Sequence, residues 1–372
     1  MENKNIYDNF IYDWWKNLDK VIFFLFISLI VLGIFFSLVS TSLIASSKFG
    51  TNNYYFFIRH LIYISLGLTL IIFFSAIPES DIYKIGVIIF FIFFISLLLV
   101  PIFGIEVKGS KRWLDIPIIP RFQPVEFLKP FLIIFLSMVI GSRFTSNDYL
   151  KLFLSTLIVL PILFFLVLQP DMGQTLLISC VWLCLIFVSG INLYLFNFLI
   201  LASISLLGYL IIYLPKFSYI KYRIIAFFDK KSSGNYQSEK ATDAIIDGGF
   251  FGKGVGEGTL NTRVPEAHTD YVISVISEEF GILIILFILF IFLLLIFKVF
   301  KKIPSEKNNI NKLVLIGSIL LIIFQVLIHV GVNIRFLPTT GMTLPFLSYG
   351  GSSILSSSIL AGLILNFTKR KI

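Results

Sequence analysis

Ten apolar runs divide this chain, each close to the roughly 20 residues a helix needs to cross a hydrocarbon core. Their limits fall near 21–44, 56–77, 84–104, 127–142, 149–168, 172–189, 192–214, 270–298, 313–334 and 345–367. In lipid every backbone N–H and C=O must find a partner inside the protein, so such runs fold as helices. The sequence therefore predicts an all-α polytopic membrane protein, with about ten transmembrane helices in a single domain over 1–372. Composition agrees: 57% of the 372 residues are hydrophobic and 14% charged, with a mean hydropathy of +0.95. A soluble domain of this size is excluded. The opening MENKNIYDNFIYDWWKNLDK is polar and mixed in charge, and lacks the small-residue cleavage site of a signal peptide. Trp14 and Trp15 beside Lys16 and Lys20 suit an interfacial anchor.

An even number of spans puts both termini on one face. The tail TKRKI and the 298–312 loop, with Lys298, Lys301, Lys302, Lys307 and Lys312 against Glu306, lie there together. The positive-inside rule makes that face cytoplasmic. The opposite face carries the large loops 105–126 and 215–269, the second between spans seven and eight. Those loops are also rich in Lys and Arg. Such charges are either solvated loop residues or a focus for an anionic ligand with phosphate-like groups.

Four stretches carry chemistry. In KGSKRWLDIPIIPRFQPVEFLKP, residues 108–130, Pro117, Pro120 and Pro124 forbid a helix across the middle. Gln123, Glu126 and Lys129 then follow at steps of three, on one helix face near the membrane surface. Trp113 reads as an interface anchor or as a stacking platform for a sugar or lipid. In GGFFGKGVGEG, residues 248–258, a nucleotide loop fails, because Asp247 and Gly254 stand where a P-loop needs Gly and Ser or Thr. A tight turn or an anion-approaching backbone is left. In VPEAHTDYVISVISEEFG, residues 264–281, Thr269 is the expected helix cap, with Asp270 ionised in the first turn. Glu278 and Glu279 then sit roughly 12 Å further in, facing the bundle interior and its cations. In NIRFLPTTGMTLPFLSYGGSSILSSS, residues 333–358, Gly and Ser permit close helix packing, and Arg335 is the one charge.

Several classes drop out. His60, His268 and His329 lie on three segments and build no metal site, and nothing resembles a Ser-His-Asp triad or a nucleic-acid module. Cys180 and Cys184 read as packing residues on one helix face. No row of intramembrane acids suggests a proton relay.

In this order, FFIRHLIY (56–63), KGSKRW with FQPVEFLK, QPDMGQTLL (169–177), the GKGVGEGT loop, PEAHTDYVISVISEEFG and PTTGMTLPFLSYGGSS resemble the SEDS family. These are the shape, elongation, division and sporulation proteins. The likeness covers essentially the whole chain, and GEGT with PEAHTD resembles the division branch more than the elongation branch. It implies ten spans and cytoplasmic termini in the bacterial cytoplasmic (inner) membrane. It implies a peptidoglycan glycosyltransferase that polymerises lipid II during cell division. The implied partners are a class B penicillin-binding protein transpeptidase and other membrane proteins of the division machinery. Asp270 matches the catalytic position; Arg112, Trp113, Glu126 and Lys129 match further functional positions. Lys111, Gln123, Arg223, Glu266, His268 and Arg335 complete the candidate substrate-binding set. No metal site is expected in the chain; a divalent cation (Mg or Mn) is compatible with a pyrophosphate substrate, but no residue cluster demands one. Two departures stand out. Val125 replaces a common Ser, and Thr340 replaces a common Lys, whose charge Arg335 or Arg263 would have to supply. The rival readings are a lipid II flippase, an elongation-type polymerase, and a scaffold that only activates the transpeptidase.

Overall fold

The computed structural model describes residues 6–41, 54–107, 109–117, 119–142, 147–214, 217–229, 236–259, 264 and 266–369. A short helix α1 (Ile6–Asn17) precedes the first crossing, α2 (Lys20–Phe36), which runs on into a π-turn at Ser37–Thr41. Then follow α3 (Tyr55–Ala76), α4 (Glu79–Phe103), α5 (Pro124–Gly141), α6 (Asp148–Leu168), α7 (Met172–Val188) and α8 (Leu193–Tyr213). Beyond the large loop come α11 (Val272–Phe280), α12 (Ile282–Lys302), α13 (Asn309–Asn333) and α14 (Gly351–Phe367). Among the described residues seven helices are long and apolar enough to cross a bilayer, and three apolar helices are shorter. Together they match the ten runs. Of the seven, α5 and α13 are the most enclosed, and α7 and α14 pack against them.

Both chain ends meet at one turn. The Trp14 indole donates to the Ser75 hydroxyl at 3.0 Å. The Asn366 amide donates to the carbonyls of Phe74 and Ile77 at 2.8 and 2.7 Å, which caps the open end of α3. Nearby, Asp19 caps α2 and pairs with Lys302 at 2.7 Å.

The end of the bundle away from Trp14 and Asn366, expected as the outer one, departs from the expectation in three places. Residues 105–122 form an antiparallel meander, β1 (Ile105–Val107), β2 (Ser110–Ile116) and β3 (Ile119–Phe122). The prolines exclude a helix, as read, and the short strands complete the connection. The 215–269 loop holds two helices, α9 (Ser218–Phe228) and α10 (Tyr236–Gly248).

The third departure concerns the eighth span. It is broken at Gly281, whose φ of 82° is open to glycine but strained for other residues. The glycine loop closes the break. Lys253 and Gly254 donate backbone N–H groups to the carbonyls of Glu278 and Glu279, at 2.9 and 3.0 Å. Gly249 accepts from the Ile282 N–H at 2.9 Å. Orphan groups on both sides of the break thus gain partners. Lys253 and Gly254 spend their N–H groups on a helix end, as a structural clasp does.

This break also sets the depth of Glu278 and Glu279. Phe280 packs on Phe35 and Phe36, with ring centroids 5.8 and 5.2 Å apart. The helix from Asp19 to Phe35 rises roughly 24 Å, against a hydrocarbon core of about 30 Å. Gly281 therefore lies near the outer edge of the hydrocarbon, and α11 stands above it within the outer cap of the protein. The two glutamates are fully enclosed by protein, and Glu278 accepts the Thr259 N–H at 2.7 Å.

Candidate functional site

The polar residues of the outer end are organised by two matched helix starts. Gln123 and Glu126 open α5; Asp171 and Gln174 open α7. The Gln123 amide donates to Asp171 Oδ2 at 2.9 Å, and the Gln174 amide donates to Glu126 Oε1. Amide meets acid, then acid meets amide, at the same three-residue step. Asp171 also caps α7 by accepting the Gln174 N–H at 3.3 Å. The last helix joins through its serines. Ser352 accepts the Gln123 N–H at 3.1 Å, and Ser356 donates to the Glu126 carbonyl at 2.7 Å.

Lys129 lies one turn deeper. Its ammonium stands 2.9 Å from Glu126 Oε2, and its side chain is 1% exposed. The predicted face is correct, but the predicted surface position is not: α5, α7, α13 and α14 enclose the pair. A buried charge at this depth requires its partner.

Arg112, on β2, reaches across to the turn before α7. Its Nε donates to the Gln169 carbonyl at 3.1 Å, its Nη2 to the Pro170 carbonyl, and Asp171 lies 3.9 Å away. Three acceptors on one short turn fix the guanidinium. Above it lies α9. Arg223 reaches the Thr339 carbonyl at 3.5 Å. Burial, and then the neighbouring Arg112, hold the Arg223 pKa below its ordinary value. Tyr219, on the same helix, donates to the Val167 carbonyl at 2.8 Å. Burial pushes its phenol up to about 12 against the pull of Arg223 and Arg112. Arg112, Arg223 and Asp171 therefore share one electrostatic neighbourhood. Lys111 points the other way, exposed and opposite Glu106 across the β1–β2 pair. Trp113 is half-buried opposite Ile105.

Asp270 sits on a turn rather than in a helix. Glu266 adopts a φ of 54°, and its carbonyl accepts the N–H groups of Thr269 and Asp270, both at 3.1 Å. Thr269 turns its hydroxyl back to Glu266 and caps nothing; the helix begins at Val272. The first-turn placement and the cap expected for this pair are thus corrected. Asn333, at the end of α13, donates to the Asp270 carbonyl at 3.1 Å. The half-buried carboxylate faces Gly341: a Cβ there would stand 3.6 Å from Oδ2. His268 is buried, its ring 5.3 Å from Phe56 and 5.9 Å from Tyr349. Its carbonyl accepts the Tyr349 N–H at 3.0 Å, which ties this turn to the entry of α14.

Two candidates for the missing lysine charge fare differently. Arg335 pairs with Glu239 on α10 at 3.3 Å, so it links two outer segments. Arg263 lies outside the described residues. Thr340 is buried against Gly173 at the start of α7. Among the described residues no three His, Cys, Asp or Glu side chains converge as a metal site would require. Asp171, Gln174 and Asn333 were not singled out from sequence. The signal for the first two was present: an acid at the cap and an amide three residues on, in QPDMGQ, mirror QPVE.

Comparison with known proteins places this arrangement. The chain is 34% identical to the probable peptidoglycan glycosyltransferase FtsW of Coxiella burnetii, over 91% of this chain and 93% of that protein. It is 32% identical to the corresponding Haemophilus influenzae protein, over 95% and 93%. Among solved structures it resembles a chain of a peptidoglycan synthase complex that coordinates polymerization and crosslinking. That likeness has a TM-score of 0.76 and 24% identity, covering 94% of this chain and 97% of the other. It also resembles the rod shape determining protein RodA of Thermus thermophilus, with a TM-score of 0.68 and 24% identity over 95% and 97%. At that identity the likeness speaks for the fold. Residues 19–371 match the FtsW, RodA and SpoVE family of cell cycle proteins, and the chain belongs to that family.

Proposed function

We propose that this protein is a peptidoglycan glycosyltransferase that polymerises lipid II at the outer face of the bacterial cytoplasmic membrane during cell division, with both termini cytoplasmic. One observation carries the reading: the Asp270 carboxylate and the Arg112–Arg223 pair lie at the same end of the bundle, where a lipid-linked pyrophosphate meets water. Membership of the family, and relatives named as glycosyltransferases, support it.

The reaction joins the GlcNAc 4-hydroxyl of one substrate to C1 of the MurNAc of another. The C1–O bond to the pyrophosphate breaks, and undecaprenyl pyrophosphate leaves with the electron pair. Asp270 takes the proton of the attacking hydroxyl. An ionised aspartate is a weak base, so the proton moves late, as the new bond forms. The turn built by Glu266 and held by Asn333 presents this carboxylate from rigid backbone. Arg112 and Arg223 stabilise charge building on the leaving group, and exposed Lys111 attracts it from the aqueous side. The buried Glu126–Lys129 pair positions the start of α5 and hence Gln123 and the Arg112 turn. Trp113 offers an aromatic face to a sugar. A class B penicillin-binding protein would crosslink the product, alongside other division proteins.

The test is purified protein, with its transpeptidase, on labelled lipid II, with polymers resolved on a gel. Asp270→Asn keeps the shape and removes the base, and polymer should fall by about 100-fold or more. A ladder at near-unchanged rate rules out this role for Asp270. Transfer of lipid II across vesicles with no polymer would instead favour a flippase.

A further inference from the structure

Phe250 and Phe251 belong to no membrane-crossing helix, yet they lie at the level where the hydrocarbon ends. The Ile282 N–H donates to the Gly249 carbonyl at 2.9 Å, and the Leu283 N–H points at the Phe250 carbonyl at 3.5 Å. The loop backbone is thereby held beside the first turn of α12. From that turn inward, Leu283, Leu286, Phe287 and Phe290 form the exposed apolar face of a helix that lies in lipid. Phe250 and Phe251 are 72% and 83% exposed, and Ile246, on the last turn of α10, is exposed with them. These three extend the lipid-facing surface of α12 across a segment that is not part of it.

Irregular backbone is ordinarily kept out of lipid, because its bare N–H and C=O groups lose their water. Here part of that backbone already has partners. Gly249 and Gly252 donate to the carbonyls of Ile246 and Gly248, and Lys253 and Gly254 donate to the end of α11. The Lys253 ammonium is paired with Asp247, which leaves a neutral polar edge at headgroup level.

We propose that Phe250 and Phe251 insert into the acyl region of the outer leaflet beside α12, so that the glycine loop is a wedge held in lipid. Continuity with the lipid-facing surface of α12, and a backbone held by five hydrogen bonds from Gly249, Gly252, Lys253, Gly254 and Ile282, identify the occupant as lipid. The inserted loop also clasps the break before α12. Since α11 continues from the Asp270 turn, the wedge sets the height of that turn relative to the leaflet.

Full-length protein in nanodiscs tests this, with Cys180 and Cys184 replaced by Ala. Spin labels are attached to Phe250→Cys and Phe251→Cys. Phe287→Cys serves as the lipid-facing reference and Glu257→Cys as the aqueous one. Relaxation by oxygen and by a water-soluble nickel chelate reports depth. Labels at 250 and 251 should match Phe287→Cys, with oxygen several-fold more effective than nickel. A response like Glu257→Cys places the loop in water and overturns the proposal. Protection from both reagents means that protein covers the site and overturns it too. As a second measurement, Phe251→Trp protein should lose more emission in brominated lipid than unmodified protein does; an equal loss counts against insertion.

Discussion

Gly281→Ala should separate the clasp from ordinary backbone strain. A Cβ at Gly281 would stand 2.2 Å from the Phe250 carbonyl oxygen and 2.6 Å from the Gly252 nitrogen. That is about 1.2 Å short of ordinary contact, and backbone on both sides cannot rotate away as a side chain would. The loop must retreat. Its four clasp contacts, to Glu278, Glu279, Ile282 and Leu283, weaken together. At about 0.5–1.5 kcal/mol for each hydrogen bond and about 1–3 kcal/mol for the strained φ, the change should cost about 3–9 kcal/mol locally. Gly256 is the matched control. Its φ is 76°, but a Cβ there meets nothing within 4 Å, so Gly256→Ala carries strain of about 1–2 kcal/mol alone. Hydrogen exchange of peptides covering 249–258 reads the difference. A gap of 2 kcal/mol is about 30-fold faster exchange at Lys253 and Gly254 in Gly281→Ala than in Gly256→Ala. Equal rates in the two variants would refute the clasp.

Two further substitutions address the charges. Lys129→Met leaves Glu126 buried without its cation and should cost about 3–5 kcal/mol. Adding Glu126→Gln should return part of that loss in thermal unfolding in detergent, since a neutral amide replaces the stranded charge. Arg335→Gln breaks a partly exposed ion pair, so stability should change by less than about 1 kcal/mol. Polymer formation on lipid II should persist at near-unchanged rate, whereas a large loss would return Arg335 to the pyrophosphate.

The bundle was legible in the sequence because lipid permits little else: ten apolar runs became ten apolar helices among the described residues. The break in the eighth was hidden because EEFGILII passes from buried acids to apolar residues without a polar gap. Only the contact between Gly281 and a loop some thirty residues earlier reveals it. The same cause misplaced Glu278 and Glu279 by depth, though their enclosure was foreseen. Asp270 was found, but its local setting was not, because a positive φ at Glu266 depends on the surrounding packing. Arg335 was read as the one charge in its stretch and a stand-in for the missing lysine; its partner Glu239 lies nearly a hundred residues away. Within QPDMGQ the complementary spacing with QPVE was visible, yet pairing between two helix starts is a tertiary fact.

The turn at residues 75–77 receives Trp14 from one end of the chain and Asn366 from the other. The first and last helices are therefore neighbours, and the order in which the ten crossings are threaded is closed into a loop in space. A short tether between the segments around Trp14 and Asn366, with a cut at the 189–192 turn, would leave every described helix and every contact of the outer site in place. Circular permutation there asks little of the fold. By the same geometry, reporters attached near Trp14 and Asn366 report on one small region at one end of the bundle, not on two.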